Sequence, residues 1–123
     1  MNKFVITSKL PTLNEYSNAE RANRFKAAKL KKDTEELIGW HIIQSGIKPI
    51  KEPIMLIIHW QVPKNCRFDP DNIVFAKKFI LDALQKMGII QNDNKRFVNG
   101  FSDHLRYEGK EYRTEVTLLR VDL

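Results

Sequence analysis

The residues best able to do chemistry in this chain lie between Arg67 and Asp93. Asp69 and Asp71 flank Pro70, whose ring fixes φ and holds the two acidic side chains close together on a stiff segment. Carboxylates held together repel unless a cation lies between them, and a hard divalent ion with oxygen ligands suits that role, Mg²⁺ first and Mn²⁺ second. Asp93 follows the next helix-like stretch after a short turn from Gly88 and would return a third carboxylate. At about 100° per residue on one helix, Lys78 and Asp82 both fall within about 20° of Asp71. A metal so held polarises a phosphoryl oxygen and acidifies a bound water. A neighbouring lysine offsets charge growing in the transition state. The same acids also have a structural reading. Asp69 suits an N-cap, Asp71 a first helical turn, and Asp93 a turn beside Asn92 and Asn94.

An acidic cluster stands out because the rest of the chain is basic. Its 123 residues carry 21 Lys and Arg against 15 Asp and Glu, a net charge of +6. That balance favours a polyanionic partner, most simply nucleic acid. Arg21, Arg24, Lys26, Lys29, Lys31 and Lys32 follow one another with no acid among them, before Asp33, Glu35 and Glu36. Arg21, Arg24, Lys26, Lys29 and Lys32, with Arg67 beside the acidic loop, are the candidate DNA contacts; a solvated helix face is the alternative. The length suits one domain over residues 1–123. Cys66 is the only cysteine, which excludes an intrachain disulfide and points to a reducing, cytoplasmic compartment. No apolar run approaches the roughly 20 residues of a membrane span, and the N-terminal stretch lacks a signal-peptide core.

The elements that would position these residues form an α+β domain of order β-α-β-α-β-β, with two helices packed on a mixed sheet. Lys3 to Thr7 reads as a strand, and Leu10 to Asn14 as a turn. Ser17 and Glu20 have capping-box spacing, opening a helix that runs to Ser45 and stops at Gly46, with Gly39 marking a bend or break. Ile54 to Val62 reads as a central strand covered on both faces. A second helix runs from Pro70 to about Met87, with Ile73, Ala76, Ile80, Ala83, Leu84 and Met87 as its apolar stripe. Phe97 to Arg106 and Tyr112 to Val121 read as two strands joined around Glu108 and Gly109. His41, His59 and His104 stand apart, without partners at metal-ligand spacing, and read with Trp60 as packing residues.

The run Asp69-Pro70-Asp71-Asn72, then Lys77-Lys78 before Leu81-Asp82-Ala83-Leu84, then Gly88 and Ile90 before Asn92-Asp93, resembles the RusA-like Holliday junction resolvases. Leu10 to Tyr16 is similar to that family's N-terminal segment, so the resemblance covers nearly the whole chain. It implies a small homodimeric, Mg²⁺-dependent endonuclease that makes paired nicks in four-way DNA junctions during recombination, repair or phage DNA processing. On that resemblance Asp69, Asp71 and Asp93 are the metal-binding carboxylates and Lys78 the catalytic lysine. Two departures stand out. Asn92 occupies a position where many members carry a second acid. The interval from Asp71 to Asp82 is nearly one helical turn longer than in the shorter members, which makes Lys77 the competitor of Lys78. A less structure-selective metal-dependent DNA nuclease, or a non-catalytic DNA-binding regulator on the same fold, are the alternatives.

Overall fold

The computed structural model describes residues 2–121. The chain runs β1 (Asn2–Ile6), α1 (Leu13–Ala22), α2 (Arg24–Ser45), β2 (Ile54–Val62), α3 (Pro70–Val74), α4 (Lys77–Lys86), β3 (Val98–Tyr107) and β4 (Arg113–Arg120). Ile54, Leu56, Ile58, Trp60 and Val62 alternate along β2 and are all buried, the pattern of a strand with one face on the core. β3 runs parallel to β2, β4 runs antiparallel to its other edge, and β1 closes the sheet beside β4, giving the order β1-β4-β2-β3. The expected α+β class and mixed sheet are therefore present.

The helices depart from expectation in a consistent way, since each expected helix is two. The capping box is Thr12 with Glu15, not Ser17 with Glu20: the Glu15 N–H donates to Thr12 Oγ1 (3.2 Å) and Glu15 Oε1 accepts from the Thr12 N–H (3.1 Å). The Leu10 to Asn14 segment is thus a helix start and not simply a turn. The break falls at Asn23, whose extended backbone ends α1 and whose Oδ1 accepts from the Lys26 N–H (2.8 Å) to cap α2. Gly39 is uninterrupted helix, where a Cβ would lie 3.2 Å from Sδ of Met87, the residue that caps α4. Gly46 ends α2 in the left-handed region.

The second helix tightens at Phe75 and Ala76. There the Ala76, Lys78 and Phe79 N–H groups donate to the carbonyls three residues back, Ile73, Phe75 and Ala76 (3.3, 3.2 and 3.0 Å). Tighter winding of about three residues per turn rotates α4 relative to α3, so positions on α3 and α4 cannot be projected onto one helical wheel.

Ile38 and Ile42 of α2, and Phe79, Ile80 and Leu84 of α4, cover Leu56, Ile58, Val116 and Leu118 in one core cluster. Each such side chain contributes about 1.5–3 kcal/mol on burial. The expectation that β2 is covered on both faces is corrected: on its other face His59 is exposed and Met55, Ile57 and Gln61 are half-buried. Its apolar start, Ile54 to Ile58, had read as two-sided burial. β3 and β4 are also not a hairpin, because β2 lies between them and the connection passes its end. Among the described residues no helix is long and apolar enough to cross a membrane.

Candidate active site

The loop that leaves the C-terminal end of β2 is pinned from both sides. The Lys64 N–H donates to the Gly109 carbonyl and the Glu108 N–H to the Val62 carbonyl, both at 2.9 Å. The Tyr107 hydroxyl donates to the Phe68 carbonyl at 2.7 Å. These bonds deliver Asp69 to the N-cap position of α3, with Pro70 in the first turn, where proline's missing N–H costs nothing. The Asp69 backbone carbonyl accepts from the N–H groups of Asn72 and Ile73 (3.0 and 3.3 Å). Its side chain makes no capping hydrogen bond. Asn72 ties the segment to α1 by accepting from the Asn14 N–H (3.0 Å).

Asp69 and Asp71 are both exposed, and neither carboxylate enters a hydrogen bond or ion pair with another described residue. Both bear on the same neighbour. Burial first, then Cys66, then Asp69 and Asp71 push the Tyr107 phenol above its ordinary range. Two free carboxylates at one pinned loop suit Mg²⁺, which takes one or two protein carboxylates and completes its shell with waters and substrate phosphate oxygens.

The two candidate lysines have different fates. Lys77 is drawn inward: its ammonium lies 2.6 Å from Asp103 Oδ2 and 4.3 Å from the centre of the Phe101 ring. The other Asp103 oxygen accepts from Trp60 Nε1 at 2.9 Å, the partner a buried indole N–H requires. Lys78 is exposed, with its ammonium 5.6 Å from the Tyr16 ring centre. It is therefore the lysine left available, and its charge is felt at Asp82.

A second acidic group centres on Asp82. Burial, then the charge of Glu35, then that of Asp93 raise its pKa, against the opposing pull of Lys31 and Lys78. Glu35 is only 4% exposed. It is matched by an ion pair to Lys86 and a longer one to Lys31 (4.0 Å), which also reaches Asp82 (3.8 Å). Asp93 itself is exposed. The carboxylates thus fall into one pair, Asp69 with Asp71 on one loop, and one charged network of Glu35 and Asp82 with Lys31 and Lys86, whose Asp82 also feels the charges of Asp93 and Lys78. Among the described residues no three His, Cys, Asp or Glu side chains converge closely enough to hold a metal ion.

Of the candidate DNA contacts, Arg21, Arg24, Lys26, Lys29, Lys32 and Arg67 are all exposed. Lys29 is paired with Asp33 (2.7 Å), and Arg24 lies over the Phe25 ring. Lys31, from the same run, turns inward to Glu35 and Asp82. Phe68, next to Arg67, packs partly into the core. Asp103, Glu35 and Tyr107 escaped sequence reasoning. Only the strand alternation that faces Asp103 toward Trp60 could have marked the first. His59 and His104 are not isolated, as read from the sequence, but stack across β2 and β3 with ring centres 4.8 Å apart. Compared with known proteins, the chain matches no family model and no curated relative.

Proposed function

We propose that this chain is a Mg²⁺-dependent, structure-specific endodeoxyribonuclease of the Holliday junction resolvase type, acting as a homodimer on four-way DNA junctions. The observation that carries this reading is the uncommitted pair Asp69 and Asp71. Asp69 occupies the N-cap position of α3 without a side-chain capping hydrogen bond, and Asp71 stands in its first turn, so both carboxylates keep their oxygens free for a cation. When bound to this pair, Mg²⁺ supplies Lewis acidity at a phosphoryl oxygen and an acidified water. The pinned loop holds both carboxylates where a phosphate can approach from solvent. Lys78 contributes a mobile positive charge to a phosphate at the site, while Asp103 keeps Lys77 out of that role.

The basic ends of α1 and α2 supply phosphate contacts flanking the carboxylates. A homodimer fits the substrate: a junction's two cut strands are related by approximate two-fold symmetry, and a C₂ dimer presents two identical sites in that relation. The resemblance of the Asp69–Asp93 series to RusA-like resolvases supports the same assignment. The decisive experiment compares a labelled four-way junction with a linear duplex of matching sequence, in Mg²⁺ and in chelator. Metal-dependent paired nicks in the junction alone are expected. Equal cutting of both substrates would make the protein a general nuclease, and tight binding without cutting under any divalent ion would make it a DNA-binding regulator.

A further inference from the structure

The sheet face that no helix covers is polar at one end, and its side chains fall into rows set by strand register. His104, His59 and Glu115 form one row across β3, β2 and β4; Arg106, Gln61 and Arg113 form the next. Together they line an open groove of about 310 Å³. The His59 and His104 rings lie nearly parallel, 16° apart. Ser102 Oγ shares a hydrogen bond of 2.9 Å with His104 Nε2, which fixes the outer ring of the stack. Both histidines are exposed, so an imidazole face remains open to a planar ligand.

The charges around this stack are unequal. Glu115 is turned toward Lys3 (2.7 Å), and the exposed Arg106–Glu108 contact is long (3.4 Å), a pair of little energetic consequence. Arg113 enters no ion pair among the described residues. Arginine on each strand flanking β2 places two guanidinium forks about 10 Å apart at their backbones, with the Gln61 amide between them and the histidine stack in the adjacent row. That spread suits a chain of phosphates better than one enclosed anion. Positive charge along a groove, beside an aromatic platform, is the arrangement that binds unpaired nucleic acid, with phosphates on arginine and a base on the ring.

We infer that this groove binds a single-stranded segment of nucleic acid, with Arg106 and Arg113 on its phosphates and a base stacked on the His59–His104 pair. The inference rests on the nuclease reading for its place in the reaction. Tyr107, next to Arg106, reaches the Phe68 carbonyl, so the groove and the Asp69–Asp71 loop meet at the same end of the sheet from opposite faces. An unpaired strand leaving the cleavage loop would pass around that end and onto the open face.

The test measures binding of a fluorescent oligothymidylate and of an abasic oligonucleotide of equal length to the full chain, in chelator, across salt concentrations. The wild type should prefer the base-bearing strand. His104→Ala should remove that preference and His104→Phe restore it. Arg106→Ala/Arg113→Ala should weaken both ligands several-fold and lower the log–log salt slope by about 1.4, for two phosphates released from a single strand. Unchanged thermal melts establish that these exposed substitutions leave the fold intact. Equal wild-type affinity for the two oligonucleotides, or an arginine double variant that binds like wild type, would overturn the inference. Because chelator removes cleavage from the readout, a groove that behaves as stated beside a protein that cuts no junction would overturn only the nuclease reading.

Discussion

Asp69, Asp71 and Asp93 differ from the other acids near the candidate site in having no side-chain partner among the described residues, and of the three only Asp69 and Asp71 share one loop. Asp103 holds Lys77, Glu35 holds Lys86, and Asp82 sits within reach of Lys31. A carboxylate left free beside another carboxylate raises the local negative potential, and removing one should improve the approach of DNA while ending metal binding. Asp71→Asn is therefore expected to abolish junction cleavage while junction affinity in chelator stays equal or rises. Retained cleavage would remove Asp71 from the site. Asp82 makes a separate, pH-dependent prediction. Its folded pKa is raised by burial and by Glu35 and Asp93, so the folded state binds its proton more readily than the unfolded chain. Stability from this group is highest below the unfolded aspartate range and falls as pH rises through the folded pKa. Asp82→Asn should raise the melting temperature at pH 7 and leave it unchanged near pH 3. A variant less stable at pH 7 would mean the Lys31 contact outweighs the burial of charge. The paired acids could be read from the sequence because proline forces them together. The Glu35 network could not, since it depends on which turn of α2 faces α4.

At the scale of elements, the breaks at Asn23 and at Phe75–Ala76 determine which side chains share a surface. Asn23 lies in extended backbone and caps α2 through its own side chain, so Asn23→Ala should cost about 1 kcal/mol in urea unfolding. No change would show that the kink is held by packing alone. Gly39 offers the opposite case. An alanine there removes the flexibility penalty of a helical glycine, about 1 kcal/mol, and its Cβ meets only the end of the Met87 side chain at 3.2 Å. Met87 is partly exposed and unbranched, so it can move aside. Gly39→Ala should stabilise the protein and Gly39→Val destabilise it. A destabilised alanine variant would show Met87 to be immovable. β2 was legible to the residue, because Pro53 and Pro63 bracket an apolar run. The helix breaks were not. Neither contains proline, and both arise from local hydrogen bonding that competes with regular helix, through a capping amide at Asn23 and tighter backbone pairing after Ile73.

Over the whole molecule, exposed basic residues and exposed apolar residues concentrate on different halves of α2, Phe25 apart. The exposed basic residues Arg21, Arg24, Lys26, Lys29 and Lys32 gather on α1 and the first half of α2. Arg24→Ala/Lys29→Ala should weaken duplex and junction binding alike and flatten the salt slope by roughly two. Wild-type affinity and slope would remove this surface from DNA contact. The second half of α2 is different in kind. Trp40 is 55% and Ile43 64% exposed, and with Met87 they line an apolar groove of about 480 Å³ between α2 and α4, rimmed by Lys32, Glu36 and Lys86. An exposed tryptophan beside an exposed isoleucine is the composition of an interface centre, and a rim carrying both signs is compatible with the same surface on a second copy. Two-fold pairing through this groove would leave Arg21, Arg24, Lys26 and Lys29 of each copy free for DNA and cover only Lys32 at its rim. Trp40→Glu should then convert the dimer to a folded monomer, measured by light scattering, and turn paired junction cuts into single nicks. A variant that stays dimeric and still cuts in pairs would place the two-fold axis elsewhere. A wild type that is monomeric at cleavage concentrations would separate metal-dependent cutting from symmetry altogether.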